Sequence, residues 1–485
     1  MKSKLILLVL ISIGPSLSAI AQEQKPQSQA QVGHQPPPQA YEDCKEKKAG
    51  DLVQHKTREG VVPATCMESP QGLVARPNQR HEKDRKPSPG QVPTNEHSGS
   101  SGAQQYSIEQ AISDNAQLHT IAFDGLAFLT GDFAADTFLP PGKVSDYFGF
   151  QYMRDIDANG GGHNTSFLTR IAENMLAVLH DDQKRQLVAL ARQQESDIRK
   201  FAEMRLPLIK AFRQNLAGEF PAGSNGLNKK AVMEYSAKLY VLDGQLAYQR
   251  AEAMGAIIRS LTQQQKTSLA ALKFGDSRTW PDVPERLDRR SMSHDVSVAV
   301  MTYASEMFSW YAGSVEADTY FCPERHGMYF GGFGMKTAPA MGKQNYSIST
   351  SLTGDSGEAF LRTLSEPQRA QITDLLELQR RDLNEIVSVR RAIATELRTL
   401  LTSDTADQEK VLSFSKRYGE LDGELSYFYA TAFAQVNRTL TQEQKAGLAA
   451  MRTSAPSASR GPYLYSSPMK PSEIASTDFF FRVHQ

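Results

Sequence analysis

One six-residue pattern, L-[T/S/H]-x-x-Q-[K/R], occurs four times along the chain: Leu179 to Lys184, Leu261 to Lys266, Leu364 to Arg369 and Leu440 to Lys445. Two copies fall in each half, which predicts a duplicated structural unit and constrains the fold more than any other feature. Other segments match in the same order. Gly131 to Arg154 lies on Gly313 to Lys336 without a gap, pairing Asp136-Thr137 with Asp318-Thr319, Pro141 with Pro323, Tyr147-Phe148-Gly149 with Tyr329-Phe330-Gly331, and Met153 with Met335. Further on, Leu242-Asp243-Gly244 lies on Leu421-Asp422-Gly423. Repeat one is assigned to 106–280 and repeat two to 292–453, with Trp280-Pro281 and Val283-Pro284 at the join.

The pattern has a plain physical reading. Thr262, Thr441 and Ser365 are good N-cap residues. Gln265, Gln444 and Gln368 stand three positions on, where a side chain can turn back to the cap's own N–H. Leu261, Leu440, Leu364 and Leu179 precede the caps and anchor the chain as it turns. Losing such a cap costs about 1 kcal/mol. In the first copy His180 stands at the cap position, with Gln183 three residues later; His is a poor cap, so this copy is expected to be the weakest. Four helix starts and nothing more would account for the hydroxyl and glutamine residues.

Between the motifs the apolar spacing is helical. Leu187, Leu190, Ile198, Phe201, Leu208 and Phe212 recur at three-four intervals, as do Ile372, Leu376, Leu383, Ile386, Ile393 and Leu397. Each repeat therefore reads as a first helix, an aromatic loop rich in Gly and Pro, and a long helix (about 180–217 and 366–402). A second long helix (about 228–260 and 406–439) and a short one follow. A capping box at Ser107 opens the first helix of repeat one, with Ile108, Ile112, Leu118, Ile121 and Leu126 following. Pro207 should kink the first long helix, with no counterpart at Ala392. The glycine of Leu-Asp-Gly interrupts a helix twice at about 1 kcal/mol each, which points to a close helix crossing or a shared hinge. Little strand signal appears inside the repeats.

Pairs of this motif flanking a helical hairpin resemble the LTxxQ-motif periplasmic proteins, the family of Spy and CpxP. The resemblance covers about 180–275 and 364–452. It implies a mostly α fold of two tandem Spy-like helical hairpins, which the duplication within one chain would make an intramolecular pseudo-dimer. It also implies ATP-independent binding of unfolded or envelope proteins as a holdase, or a role in envelope stress.

The N-terminus fits an exported chain. Met1 to Ala21 reads as a signal peptide: Lys2 and Lys4, an apolar run from Leu5 to Ile13, and Ala19-Ile20-Ala21 before the cleavage point. That run is short for a membrane span, and no later stretch approaches 18 apolar residues, so a periplasmic or secreted protein with no transmembrane segment after signal removal is expected. Residues 22–40 are Gln- and Pro-rich and read as disordered. Residues 41–78 read as a small module stapled by Cys44 and Cys66. A disulfide there closes a loop of about 20 residues and stabilises by roughly 3 kcal/mol in the chain-entropy model. Residues 79–105 read as a linker and 454–485 as a tail ending in Phe479-Phe480-Phe481. Lys plus Arg and Asp plus Glu are 54 each, so charge gives no argument for a nucleic-acid partner.

Candidate sites lie in the unmatched loops. Asp155-x-Asp157-x-Asn159-Gly160 has oxygen ligands at positions one, three and five of an EF-hand-type loop and suits calcium, but Ser166 stands where a bidentate Glu is needed, so a polar turn is the competing reading. Cys322, His326 and Met328 offer soft ligands suited to copper; the alternative is a buried thiol among core methionines. Tyr147, Phe148, Tyr329 and Phe330 read either as a recognition surface or as an apolar plug. Arg205 and Arg390, with Gln194 and Gln379, fall at matched seam positions, to line a polar cavity or to snorkel outward. G-x-S-x-G, H-E-x-x-H, P-loop and C-x-x-C-H patterns are absent, so no enzyme activity is expected; the cofactor candidates are calcium or copper at these loops, beside the reading in which neither binds. The function expected is a protein-binding holdase; a metal-binding or metal-sensing envelope protein is the alternative.

Overall fold

The computed structural model describes residues 38–57, 60–69, 72–77, 108–130, 166–272, 279–283, 287–320, 338–339, 347–348, 356–451, 463–465, 467–468, 470, 472–474 and 476–483. It is mostly helical and divides into two compact units, Met1–Gly99 and Ser100–Gln485.

The first unit is a three-stranded antiparallel sheet with a short helix. α1 (Pro38–Glu42) precedes β1 (Leu52–Thr57), β2 (Gly60–Ser69) and β3 (Gly72–Pro77), with β2 central. Cys44 and Cys66 are joined by a disulfide, and both are buried with Ala40, Ala64, Val74 and Ala75. So few core residues cannot hold a fold alone, which is why the crosslink matters. His55 on β1 is buried and its Nδ1 lies 2.6 Å from Asp43 Oδ2, tying the sheet to the turn that carries Cys44.

The second unit begins with α2 (Ile108–Ala111) and α3 (Asp114–Thr130). A helix expected to run from 108 is interrupted at Ile112-Ser113, and Ser113 Oγ accepts from Ala116 N–H at 3.4 Å to start it again. Ser107, the expected cap, lies outside the described residues. α4 (Ser166–Val178) leads into α5 (Asp181–Met204) and α6 (Leu206–Ala217). The bend between α5 and α6 falls at Arg205, two residues before Pro207, because proline lacks the N–H and its ring crowds the preceding turn. β4 (Ser224–Leu227), α7 (Lys229–Arg259) and α8 (Gln263–Ala270) complete the first half.

The second half begins after residue 287. α9 (His294–Ala312), α10 (Val315–Tyr320), the small pair β5 (Ala338–Pro339) and β6 (Ser347–Ile348), and α11 (Ser356–Thr363) come first. α12 (Glu366–Thr373), α13 (Leu375–Arg398), α14 (Gln408–Thr439) and α15 (Gln442–Met451) follow. α13 runs through Ala392 without a break, as the sequence leads one to expect. The interruption before it, at Asp374, keeps helical dihedrals (φ −63°, ψ −23°) and puts Leu375 into the core beside half-buried Leu376. The tail adds β7 (Tyr463–Leu464), β8 (Ser467–Pro468) and β9 (Phe481–Val483).

α7 and α14 form the longest contact and run antiparallel. A Cβ on Gly244 would sit 2.6 Å from Ser415 Cβ, and one on Gly423 would sit 2.9 Å from Ser236 Cβ. Ser236 falls on Ser415 in the alignment that lays Gly244 on Gly423, so the two contacts are the same contact made from opposite sides. Between them a Cβ on Gly419 would lie 2.7 Å from Tyr240 Cβ, and Tyr240 is the residue that Gly419 falls on. The Leu-Asp-Gly glycines therefore serve a close helix crossing.

One arrangement departs from the sequence order. Residues 106–130 lie within repeat one as the sequence divides it, yet α3 packs chiefly on α11 and α14 of the second half, and α9 packs on α4, α5 and α7 of the first. The first helices are exchanged. Two apolar cores result, each built from both halves: Leu187, Ile198, Tyr303, Met307 and Ile386 share one, and Ile121, Phe128, Phe212, Phe360 and Phe433 share the other.

Candidate functional site

The four motif leucines, Leu179, Leu261, Leu364 and Leu440, are all buried. The glutamine half of the cap is made at every copy: Gln183, Gln265, Gln368 and Gln444 accept from the backbone N–H of His180, Thr262, Ser365 and Thr441 at 2.8–2.9 Å. Thr262 and Thr441 also accept from the N–H of Gln265 and Gln444, at 3.2 and 3.1 Å.

The amide nitrogens do something that helix starts alone do not require. Gln265 Nε2 donates to Val178 O at 2.9 Å and to Gln183 Oε1 at 2.7 Å, while Gln183 Nε2 donates to Ser260 Oγ at 2.9 Å. In the second half Gln444 Nε2 donates to Thr363 O at 2.9 Å and to Gln368 Oε1 at 2.8 Å. Gln368 Nε2 donates to Thr439 O at 3.0 Å and Oγ1 at 3.2 Å. Each half thus closes one glutamine clasp between its two motif copies. A signal for this stood in the sequence: Ser260 and Thr439 both place a hydroxyl just before the motif leucine.

Two polar nodes lie under the exchanged helices. Gln194 Oε1 accepts from Tyr303 Oη at 2.8 Å and Arg250 Nε at 3.1 Å, and its amide donates to Leu246 O at 3.0 Å and Gln249 Oε1 at 2.8 Å. Arg250 also lies 3.7 Å from Glu306 on α9, both fully buried, and over the Tyr303 ring. At the matched node Gln379 Nε2 donates to Gln117 Oε1 at 3.0 Å, and Tyr429 Oη donates to Gln379 Oε1. Buried Asp124 on α3 is close enough to help hold the Tyr429 hydroxyl well above its usual range, after burial itself. Sequence reasoning placed Gln194 and Gln379 but missed Gln117, Asp124, Arg250, Tyr303, Glu306 and Tyr429, because the helices that supply several of them come from the other half.

A cleft of about 210 Å³ opens above the second node, lined by Ile112, Gln117, Leu376, Gln379, Leu383 and Asn384 among others. Arg380 closes its rim by bonding Asp114 at 2.9 Å and Glu377 at 3.0 Å.

Arg205 and Arg390 do not snorkel. Arg205 is buried at the α5–α6 bend, and Arg390 is buried on α13. Arg390 Nε donates to Thr319 O at 2.9 Å, Nη2 to Asp318 O at 3.0 Å and Nη1 to Tyr418 Oη at 3.0 Å. Those carbonyls lack partners within a helix as short as α10. Arg398 Nη2 holds Asp318 Oδ1 at 3.0 Å and Arg391 holds Glu316 at 2.8 Å, so three arginines of α13 fasten α10. Burial nevertheless pushes the Asp318 carboxyl up to about 6, outweighing Arg398 and Arg390. Arg390 is thus an internal support of α10, and Arg205 is buried at the bend.

The remaining candidates, Tyr147, Phe148, Tyr329, Phe330, Asp155, Asp157, Asn159, Cys322, His326 and Met328, lie outside the described residues. Among the described residues no group of three or more His, Cys, Asp or Glu side chains is placed to hold a metal ion, and no helix is long and apolar enough to cross a membrane. The fold and these sites define a mostly helical protein with a small disulfide-bonded N-terminal sheet. No family model, curated protein or solved structure matches the chain.

Proposed function

We propose that the chain is an exported, protein-binding helical protein of the Spy/CpxP type that acts without a nucleotide, built as two tandem hairpin repeats related as a pseudo-dimer. The observation that supports this reading is the pair of glutamine clasps. Val178 and Thr363 accept the same bond in the two halves, and Ser260 and Thr439 accept the other. The matched crossing of Gly244 on Ser415 and Gly423 on Ser236 agrees with it.

The reading needs one amendment from the family pattern. α3 and α9 cover the hairpin faces that an open cradle would present, and large exposed apolar residues are few among the described ones: Leu52, Met67, Leu378 and Phe479. Client contact then falls to other surfaces; the aromatic segments around Tyr147-Phe148 and Tyr329-Phe330, outside the described residues, are sequence candidates. The test is light scattering of a reduced or heated client mixed with the mature protein. Suppression near equimolar ratio is expected, and none over a wide ratio range overturns the reading.

A metal-binding reading has one supporting observation. The sequence places Cys322, His326 and Met328, ligand types suited to copper, within seven residues of one another. Tight copper binding lost in Cys322→Ala with His326→Ala would support it, and protein that stays metal-free after dialysis against copper would overturn it.

A further inference from the structure

The tail is seated in a groove beside β4, with α14 contributing Tyr427. β9 pairs antiparallel with β4, Leu227 opposite Phe481 and Ser224 opposite Val483, with a bulge between. The Asn228 N–H, at the start of α7, donates to Phe480 O at 2.6 Å. Phe480 and Phe481 are buried with Leu208, Phe212, Leu216, Leu227 and Val232. Phe480 meets Tyr235 edge-on at 5.0 Å, and Phe481 meets Phe220 at 6.1 Å. Thr477, also buried, donates to Gln214, and Arg482 Nη2 donates to Tyr427 Oη at 2.6 Å.

We propose that this groove is a strand-addition site for extended aromatic segments of unfolded proteins, and that the chain's own tail fills it as a replaceable plug. The proposal rests on the protein-binding reading above and names its surface. Backbone pairing to a short strand reads no sequence, while neighbouring apolar pockets select side chains, so the site suits any extended segment with two adjacent aromatics followed by a basic residue. Such segments are buried in folded proteins and exposed in unfolded ones. The tail's ladder is interrupted by a bulge, Phe479 is 53% exposed, and β4 has no strand partner but β9 among the described residues. In the second half the segment between α13 and α14 is a 3-10 turn and loop rather than a strand, so that segment offers no equivalent strand edge.

The test compares the full chain with one ending at Ser476, using fluorescence anisotropy of a labelled peptide spanning residues 476–485. The shortened chain is expected to bind the peptide at least tenfold more tightly than the full chain. An unrelated peptide carrying Phe-Phe-Arg in a Gly/Ser background should compete. The labelled peptide with Phe480→Asp and Phe481→Asp should not bind. Equal weak binding by both chains, with the shortened one folded by circular dichroism, overturns the proposal. So does binding of the tail peptide that the unrelated aromatic peptide leaves untouched. A dimer of the full chain that vanishes on shortening, with no competition, would assign the groove to tail exchange and also overturn it. Should the shortened chain not fold, Thr477→Val with Arg482→Ala in the full chain carries the test, with a gain of about threefold or more expected and no gain contradicting. Failure here with intact suppression of client aggregation removes only the groove; competition without suppression keeps the groove and removes the holdase reading.

Discussion

Gln265 Nε2 lies 2.7 Å from Gln183 Oε1, joining two motif copies 82 residues apart. Both side chains are buried, and each spends its carbonyl on a helix cap and its amide on the partner copy. Removing either leaves buried groups without partners, so Gln183→Leu and Gln265→Leu should each destabilise by about 1–3 kcal/mol. The two effects should fall short of additive by about 1 kcal/mol or more in a urea-denaturation cycle. Gln368→Leu and Gln444→Leu should repeat the pattern, and strict additivity in both halves would mean that the clasps are only helix caps.

Alanine at Gly423 reverses the usual sign of a helix substitution. In an open helix the change gains about 1 kcal/mol. Here the new methyl meets Met233 Cα at 2.8 Å and Ser236 Cβ at 2.9 Å. Overpacking of this kind costs about 1–3 kcal/mol, so Gly423→Ala, and Gly244→Ala against Ser415, should each lower the midpoint of thermal unfolding.

Arg250 and Glu306 test the exchanged helices, since the pair links α7 to α9. Breaking a buried pair from one side costs about 3–5 kcal/mol, whereas replacing both partners by apolar groups can be nearly neutral. Arg250→Met alone should therefore be markedly destabilising, and Arg250→Met with Glu306→Leu much less so, as read from denaturant midpoints.

Asp318 has a definite pH signature. Its folded value of about 6 stands above the ordinary 3.8 because burial disfavours the charge. Between these values the folded state holds the proton more tightly than the unfolded one, so this group's contribution falls as pH rises through the window and is most favourable below it. Asp382 is shifted the same way, by burial first. Comparing the stability–pH slopes of the native protein and Asp318→Asn between pH 4 and 6 should show the native curve falling more, or rising less, than the variant's.

The N-terminal sheet should depend on its crosslink while the helical unit does not. With so small a core, reduction of Cys44–Cys66 should cost about 2–5 kcal/mol. Limited proteolysis after reduction should cut within residues 38–77 while the helical far-UV signal persists.

Much of the frame was legible because it is local. Helical spacing put Leu187, Ile198, Leu383 and Ile393 in the core, Pro207 marked the bend, and the paired Leu-Asp-Gly glycines marked the crossing. What was not legible is non-local. Nothing in Asp124 or Glu306 says that each is buried against the other half's hairpin. Ser224-Asn225-Gly226-Leu227 has weak strand propensity, and it becomes a strand by pairing with Phe481 and Val483 far along the chain. The glutamines were legible as caps but not as clasps, since the second bond needs the tertiary fold.

The central claim is that one chain supplies both halves of a client-binding frame. Sedimentation of the mature protein with a permanently reduced, unfolded client measures it most directly. A complex of one chain with one client is predicted. Two chains per client, or no complex at any ratio, would contradict the account.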